Sequence, residues 1–249
     1  MSTAHSKADK KDGGVREMIV VIIQALLIAV IFRTFLFQPF NIPSGSMMPS
    51  LLIGDYVFVS KFSYGYSNYS IPFAPDLFEG RILEDKPERG DIAVFRVPSD
   101  GDKDYIKRVI GLPGDKIQMK DAVLYINDKA VPKEFLDDVS MTRPDGSKLR
   151  SRRYVETLPN GVTHYTLDSP ISTAGENTAV FTVPEGHYFM MGDNRDGSSD
   201  SRFGLGAVPL ELFVGKAQII FFSIEPPARA RHIWRWPNDV RFDRLMNTL

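Results

Sequence analysis

The chain opens polar, turns apolar for one long stretch, and then breaks into short alternating segments. Residues 1–16 are charged and contain glycine. They carry too little apolar surface to order alone and read as a disordered cytoplasmic tail. Met18–Phe32 is apolar except for Gln24; Arg33 and Thr34 follow, then Phe35–Phe37. Met18 to Phe37 makes about 30 Å of helix, enough for a bilayer core. Residues 17–37 are therefore expected to form one transmembrane anchor, with Arg33 reaching the headgroups near one end. Lys7, Lys10, Lys11 and Arg16 precede it and place the N-terminus in the cytoplasm, the bulk of the chain outside. A cleaved secretory signal shares the basic start and apolar run, but no small-x-small site closes this one. A buried core helix fits less well, because both ends of the run carry charge and no amphipathic period shows.

From Gln38 the period shortens. Asp55–Lys61, Gly90–Val97, Tyr105–Ile110, Thr178–Val183, His187–Met191 and Lys216–Ser223 are short runs rich in β-branched and aromatic residues. Val123–Val131 reads as a hairpin turning at Asn127–Asp128. No second long helical pattern and no repeat appears. The prediction is a mainly β body over residues 38–249 behind a single N-terminal transmembrane helix. A β-rich insertion is expected at about 117–184. Asp137–Glu176, polar and rich in turn residues, reads as its solvent side, and Lys148–Arg153 (KLRSRR) as a solvated loop. Tyr64–Ile82 is aromatic and apolar for a loop; it either faces the membrane or packs on its own body.

Composition narrows the chemistry. The net charge is −1 over 249 residues, which gives no sign of a nucleic-acid partner. There is no cysteine, so disulfides, thiol nucleophiles and thiolate-bound metals are excluded. His5, His164, His187 and His232 lie in no local metal spacing, and no metal or cofactor is expected.

Three segments carry candidate chemistry. In Ile42–Leu51 (IPSGSMMPSL) a glycine and two serines lie between two prolines, where a serine beside backbone N–H groups suits an oxyanion-stabilised reaction. A plain juxtamembrane turn has the same composition. In Asp104–Asp115 (DYIKRVIGLPGD) Lys107 sits inside an apolar run, on the strand face of Tyr105 and Val109 and opposite Ile106 and Arg108. A lysine facing inward loses solvation, and its pKa falls toward the range of a general base. A lysine snorkelling from an edge strand is the alternative. Met191–Gly204 (MGDNRDGSSDSRFG) crowds polar groups into one loop. That loop departs from the calcium pattern, because the twelfth position counted from Asp193 is Gly204.

Together these segments resemble the type I signal peptidases. That family shows P-S-G-S-M-x-P after an N-terminal anchor, then G-D-x-V, Y-I-K-R-V-x-G-x-P-G-D and G-D-N-R-x-x-S-x-D-S-R. Here they stand in order at Pro43–Pro49, Gly54–Val57, Tyr105–Asp115 and Gly192–Arg202. The resemblance runs from the anchor to about Lys216. It implies a β-barrel or sheet catalytic domain, with Ser46 as nucleophile and Lys107 as general base. Ser44 and the Ser46 N–H become oxyanion donors, Ser198 orients the Lys107 amine, and Asp200 with Arg202 supports the loop. Phe40, Ile42, Pro43, Met47, Leu51, Val57, Val94, Tyr105 and Ile106 would wall pockets for small residues. Gly197 stands where the family often has Asn, and Phe203–Gly206 replaces an aromatic-Gly ending; both affect loop support. The implied partners are signal-peptide-bearing preproteins, the lipid bilayer and, as an open question for the insertion, the secretion translocon. The implied location is the inner membrane of a bacterium, with the catalytic domain on the periplasmic or extracytoplasmic side.

Three rivals remain at this level. A Ser-His-Asp hydrolase would use His164 or His187. A self-cleaving Ser-Lys repressor would need a DNA-binding helical domain in place of the apolar span. A membrane-anchored β-domain would bind extended peptides without cutting them.

Overall fold

The computed structural model describes residues 9–71, 78–142, 148–171, 173–225 and 236–249. Helix α1 runs Asp9–Phe35. It begins inside the segment expected to be disordered. Its Gly14–Phe35 stretch has a mean hydropathy of 2.5, no residue of its most apolar window is covered by the rest of the protein, and it is long enough to cross a membrane. The strands that follow are β1 Phe37–Asn41, β2 Asp55–Ser60, β3 Ile92–Val97, β4 Lys103–Gly111, β5 Lys116–Lys120, β6 Val123–Ile126 and β7 Lys129–Ala130. After them come β8 Lys133–Thr142, β9 Lys148–Thr157, β10 Thr163–Asp168, β11 Phe181–Thr182 and β12 His187–Met191. The last are β13 Val208–Pro209, β14 Phe213–Ser223 and β15 Asn247–Thr248, with the short helix α2 at Trp236–Asp239.

The strands form three antiparallel sheets. The largest has the order β1-β2-β14-β3-β4-β12-β13, with β15 on β14; β10-β9-β8 and β11-β5-β6-β7 make the other two. Apolar residues face three clusters. One lies between β1, β2, β3 and β14 and holds Val57, Val59, Val94, Val214 and Ile220. A second packs Ala93, Phe95, Val109, Tyr188 and Phe213. The third joins Ile117, Met119, Leu124 and Ile126 of the insertion to Ile110, Phe189 and Met191 of the large sheet. The insertion thus shares a core with β4 and β12, the strands that carry and precede the chemistry-bearing segments.

Most predicted strands form near their expected bounds. Asn127 and Asp128 both take positive φ, 53° and 64°, the geometry a two-residue primed turn requires. Two expectations change. Thr178–Val183 shrinks to two residues, because Thr178 spends its backbone and side chain on Met119 across a loop. The polar stretch read as turns, with its solvated basic loop, contains most of a long hairpin, β8 with β9. Polar strands lack the alternation that marks a strand in sequence. This pair is zipped by cross-strand contacts, Arg153 on Asp137 at 2.5 Å and Phe135 edge-on to Tyr154 at 5.7 Å. The Tyr64–Ile82 segment packs partly on the body: Tyr64 is buried edge-on to Phe213 at 5.7 Å, while Ile82 is exposed. Residues 72–77 of it lie outside the described residues.

Candidate active site

Ser46 lies on the turn between β1 and β2. Ile42 and Asp55 close the base of that turn, through Ile42 N–H to the Asp55 carbonyl at 2.8 Å and Gly54 N–H to the Ile42 carbonyl at 3.0 Å. Met47 and Leu51 are fully buried and pin its far side to the first core cluster. A serine on a turn held at both ends has little freedom, and Ser46 is itself 8% exposed.

Lys107 belongs to β4, whose other neighbour across the pairing is β3. Its cross-strand partner is Ala93, a small side chain that leaves room beside the amine. Lys107 Nζ lies 2.8 Å from Ser46 Oγ and donates to the Ile106 carbonyl at 3.0 Å. The amine also sits 5.4 Å from the centre of the Tyr105 ring, on the face that strand alternation assigns to both. Lys107 is 4% exposed. Burial pulls its pKa from 10.5 to about 8, and the Asp200 and Asp193 carboxylates offset only part of that. Ser46 and Lys107 are 61 positions apart in the chain, yet they meet at hydrogen-bond distance.

Ser44 Oγ stands 3.4 Å from Ser46 Oγ, on the exposed side of the turn. The loop after β12 presses on the other side. Asn194 donates its backbone N–H to the Ser46 carbonyl at 3.1 Å and its side-chain amide to the Gly45 carbonyl at 3.0 Å. Asp200 accepts from Gly192 N–H at 2.9 Å and takes Arg202 Nη2 at 2.9 Å and Nε at 3.0 Å. Arg202 also donates to the Arg195 carbonyl. Gly192 is the closest approach: a Cβ there would collide with Ser198 Oγ and with the Ser46 carbonyl oxygen.

One expected hydrogen bond is not formed. Ser198 is buried beside Gly192, but its hydroxyl makes no hydrogen bond among the described residues, so the orienting bond to Lys107 is not formed. The lysine amine is directed to Ser46 and to its own strand's Ile106 carbonyl instead. Of the expected pocket walls, Ile42, Met47, Leu51, Val57 and Val94 are sealed in the core, at 3% exposure or less. They lie beneath the surface that Phe40, Pro43, Tyr105 and Ile106 present. Neither candidate histidine reaches Ser46. His164 is buried among Glu156, Asp193 and Arg195, and His187 Nδ1 is bonded to the Glu185 carbonyl at 2.8 Å.

The model of the family described as signal peptidase, peptidase S26, matches residues 15–222. The chain belongs to that family. It is similar to a signal peptidase I of Rickettsia typhi, 47% identical over 229 residues, which cover 89% of this chain and 83% of that protein. The corresponding protein of Rickettsia prowazekii is 48% identical over 229 residues with the same shares. A crystal structure of a signal peptidase I from Enterococcus faecalis is 29% identical and covers 53% of this chain and 97% of that one, with a TM-score of 0.32. That score is too low for the overlay to bear on the fold. The chain is a peptidase of this family.

The sequence reading assigned no role to several residues that the structure brings to the site. Arg108 holds Asp193 through two bonds, Nε at 2.8 Å and Nη2 at 2.7 Å, on the far side of β4 from the amine. Asn194 carries the link to the Ser46 turn; its place in the fourth motif was the only available signal. Away from the site, Lys61 just after β2 is 1% exposed, donates to the Ser70 carbonyl, and has its pKa lowered by burial to about 8. Only its position directly after an apolar strand hinted at that.

Proposed function

We propose that this chain is a membrane-anchored endopeptidase that removes signal peptides from exported preproteins through an acyl-enzyme on Ser46, with Lys107 as general base. The observation that carries the reading is the 2.8 Å separation of a buried lysine amine from a buried serine hydroxyl. With a pKa of about 8, a useful fraction of Lys107 is neutral near neutral pH and accepts the hydroxyl proton as Ser46 attacks. The protonated amine then returns that proton to the leaving amine nitrogen. A water deprotonated by the same amine releases the acid product. The Ser44 hydroxyl and the Ser46 N–H supply donors for the tetrahedral oxyanion. Asp200 and Arg202 hold the loop that presses on Ser46.

The substrate strand is proposed to lie in extended form between the Pro43–Ser44 segment and β4. Its small side chains would point at Phe40, Pro43, Tyr105 and Ile106 above the sealed core residues. Helix α1 is proposed as the single-pass anchor in a bacterial inner membrane, with the N-terminus cytoplasmic and residues 38–249 outside. Preproteins tethered to the same bilayer then meet the site at raised effective concentration. Its test is cleavage of a preprotein in proteoliposomes by the parent, Ser46→Ala and Lys107→Ala. The reading predicts cleavage by the parent alone, with all three folded. A Lys107→Ala protein that cuts at the parent rate would contradict it.

A further inference from the structure

The insertion sheet has an unusual inner face. Along β10, His164, Thr166 and Asp168 alternate inward, and Glu156 of β9 stands opposite His164 in register. All four are buried, although an apolar seam would hold two sheets together as well; replacing a buried ion pair by packed apolar groups is often neutral or stabilising. What an ion pair adds is a fixed geometry. Glu156, with no exposed surface, grips Arg195 through both oxygens, at 2.9 and 2.5 Å. Burial works against the Glu156 charge, but Arg195 and His164 outweigh it and keep the carboxyl ionised below its usual range.

Arg195 is a residue of the loop that presses on Ser46. On its two sides the same loop is stitched to β10 by backbone: Leu167 N–H donates to the Asp193 carbonyl, and Arg195 N–H to the Leu167 carbonyl, each at 2.9 Å. Leu167 thereby brackets Asn194 in a short parallel bridge, and Asn194 is the residue that bonds the Ser46 and Gly45 carbonyls. Asp193, beside it, is held by Arg108, the neighbour of Lys107 in β4. His164 fills the gap, its Nε2 3.4 Å from Glu156 and 4.0 Å from Asp193. One rigid path therefore runs from β9 of the insertion to the turn of the nucleophile and to the strand of the base.

We propose that Glu156, which lies outside all four motifs, is a positioning residue for the peptidase reaction: by clamping Arg195 it fixes Asn194 against the Ser46 turn and Asp193 against the Lys107 strand. The insertion is then part of the catalytic apparatus. This inference rests on the Ser46–Lys107 reading above.

The test compares the full chain in detergent or liposomes with two variants, Glu156→Asp and the double change Glu156→Leu with Arg195→Met, using a fluorogenic signal-peptide substrate. The double change removes the clamp without leaving a buried charge unpaired; Glu156→Asp keeps the charge but withdraws it by one methylene. Folding is checked by near-ultraviolet circular dichroism and thermal melting. The expected result is a fall in kcat of about 10²-fold for the double variant, and a smaller fall for Glu156→Asp. KM should stay within about threefold of the parent, since the proposed substrate strand does not touch Glu156. The rising limb of the kcat–pH profile should also move, because Asp193 contributes to the Lys107 titration. A folded variant of either kind with the parent's kcat and the parent's pH limb overturns the proposal; if the double variant does not fold, Glu156→Asp decides alone. Ser46→Ala is run alongside. Should Ser46→Ala keep its activity, the nucleophile assignment fails; should it be inactive while the Glu156 variants match the parent, only the positioning role fails.

Discussion

A lysine amine 4% exposed beside a serine hydroxyl is costly to keep charged. Below pH 8 the folded chain must hold that charge in a poorly solvated site, while the unfolded chain holds it in water. Between about 8 and 10.5 the unfolded state binds the extra proton, so stability rises with pH across that window. Below it the penalty is complete, on the order of 3 kcal/mol at pH 7. Lys107→Met should therefore abolish cleavage yet raise the melting temperature at pH 7 by a few degrees, the gain vanishing near pH 11. Calorimetry at the two pH values checks this, and a variant that melts lower at pH 7 would contradict the desolvated amine. At Gly192 the expectation is the reverse. Gly192→Ala drives a methyl into the Ser46 carbonyl and the Ser198 hydroxyl. It should cost about 1–3 kcal/mol of stability and reduce kcat, read from denaturant titration and steady-state rates.

At the scale of elements, the site is made where three of them converge: the β1–β2 turn, strand β4 and the loop after β12. The loop's hold on the turn passes through Asn194, so Asn194→Ala should lower kcat by about 10- to 100-fold with little change in KM. A parent-like kcat would show that the turn holds itself. Convergence is what a linear reading lacks. Alternation put Lys107 on the Tyr105 face and marked it as inward, and the four motifs marked Ser46 and the loop. Nothing local shows that Asn194 reaches Gly45, or that Ser198 turns to Gly192 and leaves Lys107 to Ser46 and Ile106. The expected pocket residues divide into surface and buried ones for a related reason. Met47, Leu51 and Val57 are apolar positions near Ser46, and a sequence cannot separate a residue that faces a cleft from one that floors it. The β8–β9 hairpin was missed because polar and apolar residues are mixed on both faces of its strands, and their pairing is carried by Arg153, Asp137, Phe135 and Tyr154 across the ladder.

Across the whole molecule, one apolar helix leads into a β body whose first strand begins two residues after the helix ends. The junction is tied by Lys61 N–H to the Leu36 carbonyl at 3.0 Å and by the Tyr66 hydroxyl to the Phe35 carbonyl at 2.8 Å. Such a junction holds the body close to the end of the span. A chain lacking residues 1–36 should cut a soluble signal-peptide substrate at the parent rate but a liposome-borne preprotein more slowly, because the shared tether is gone. Equal rates on both substrates would remove the anchor from the mechanism. Everything else depends on the protonation of a single amine. The direct measurement is a nitrogen-15 NMR titration of Lys107 Nζ in the folded protein, with Lys107→Arg used to assign the signal. A midpoint near pH 8 is the result this mechanism requires; a midpoint at the ordinary lysine value, near 10.5, would leave Ser46 without a base.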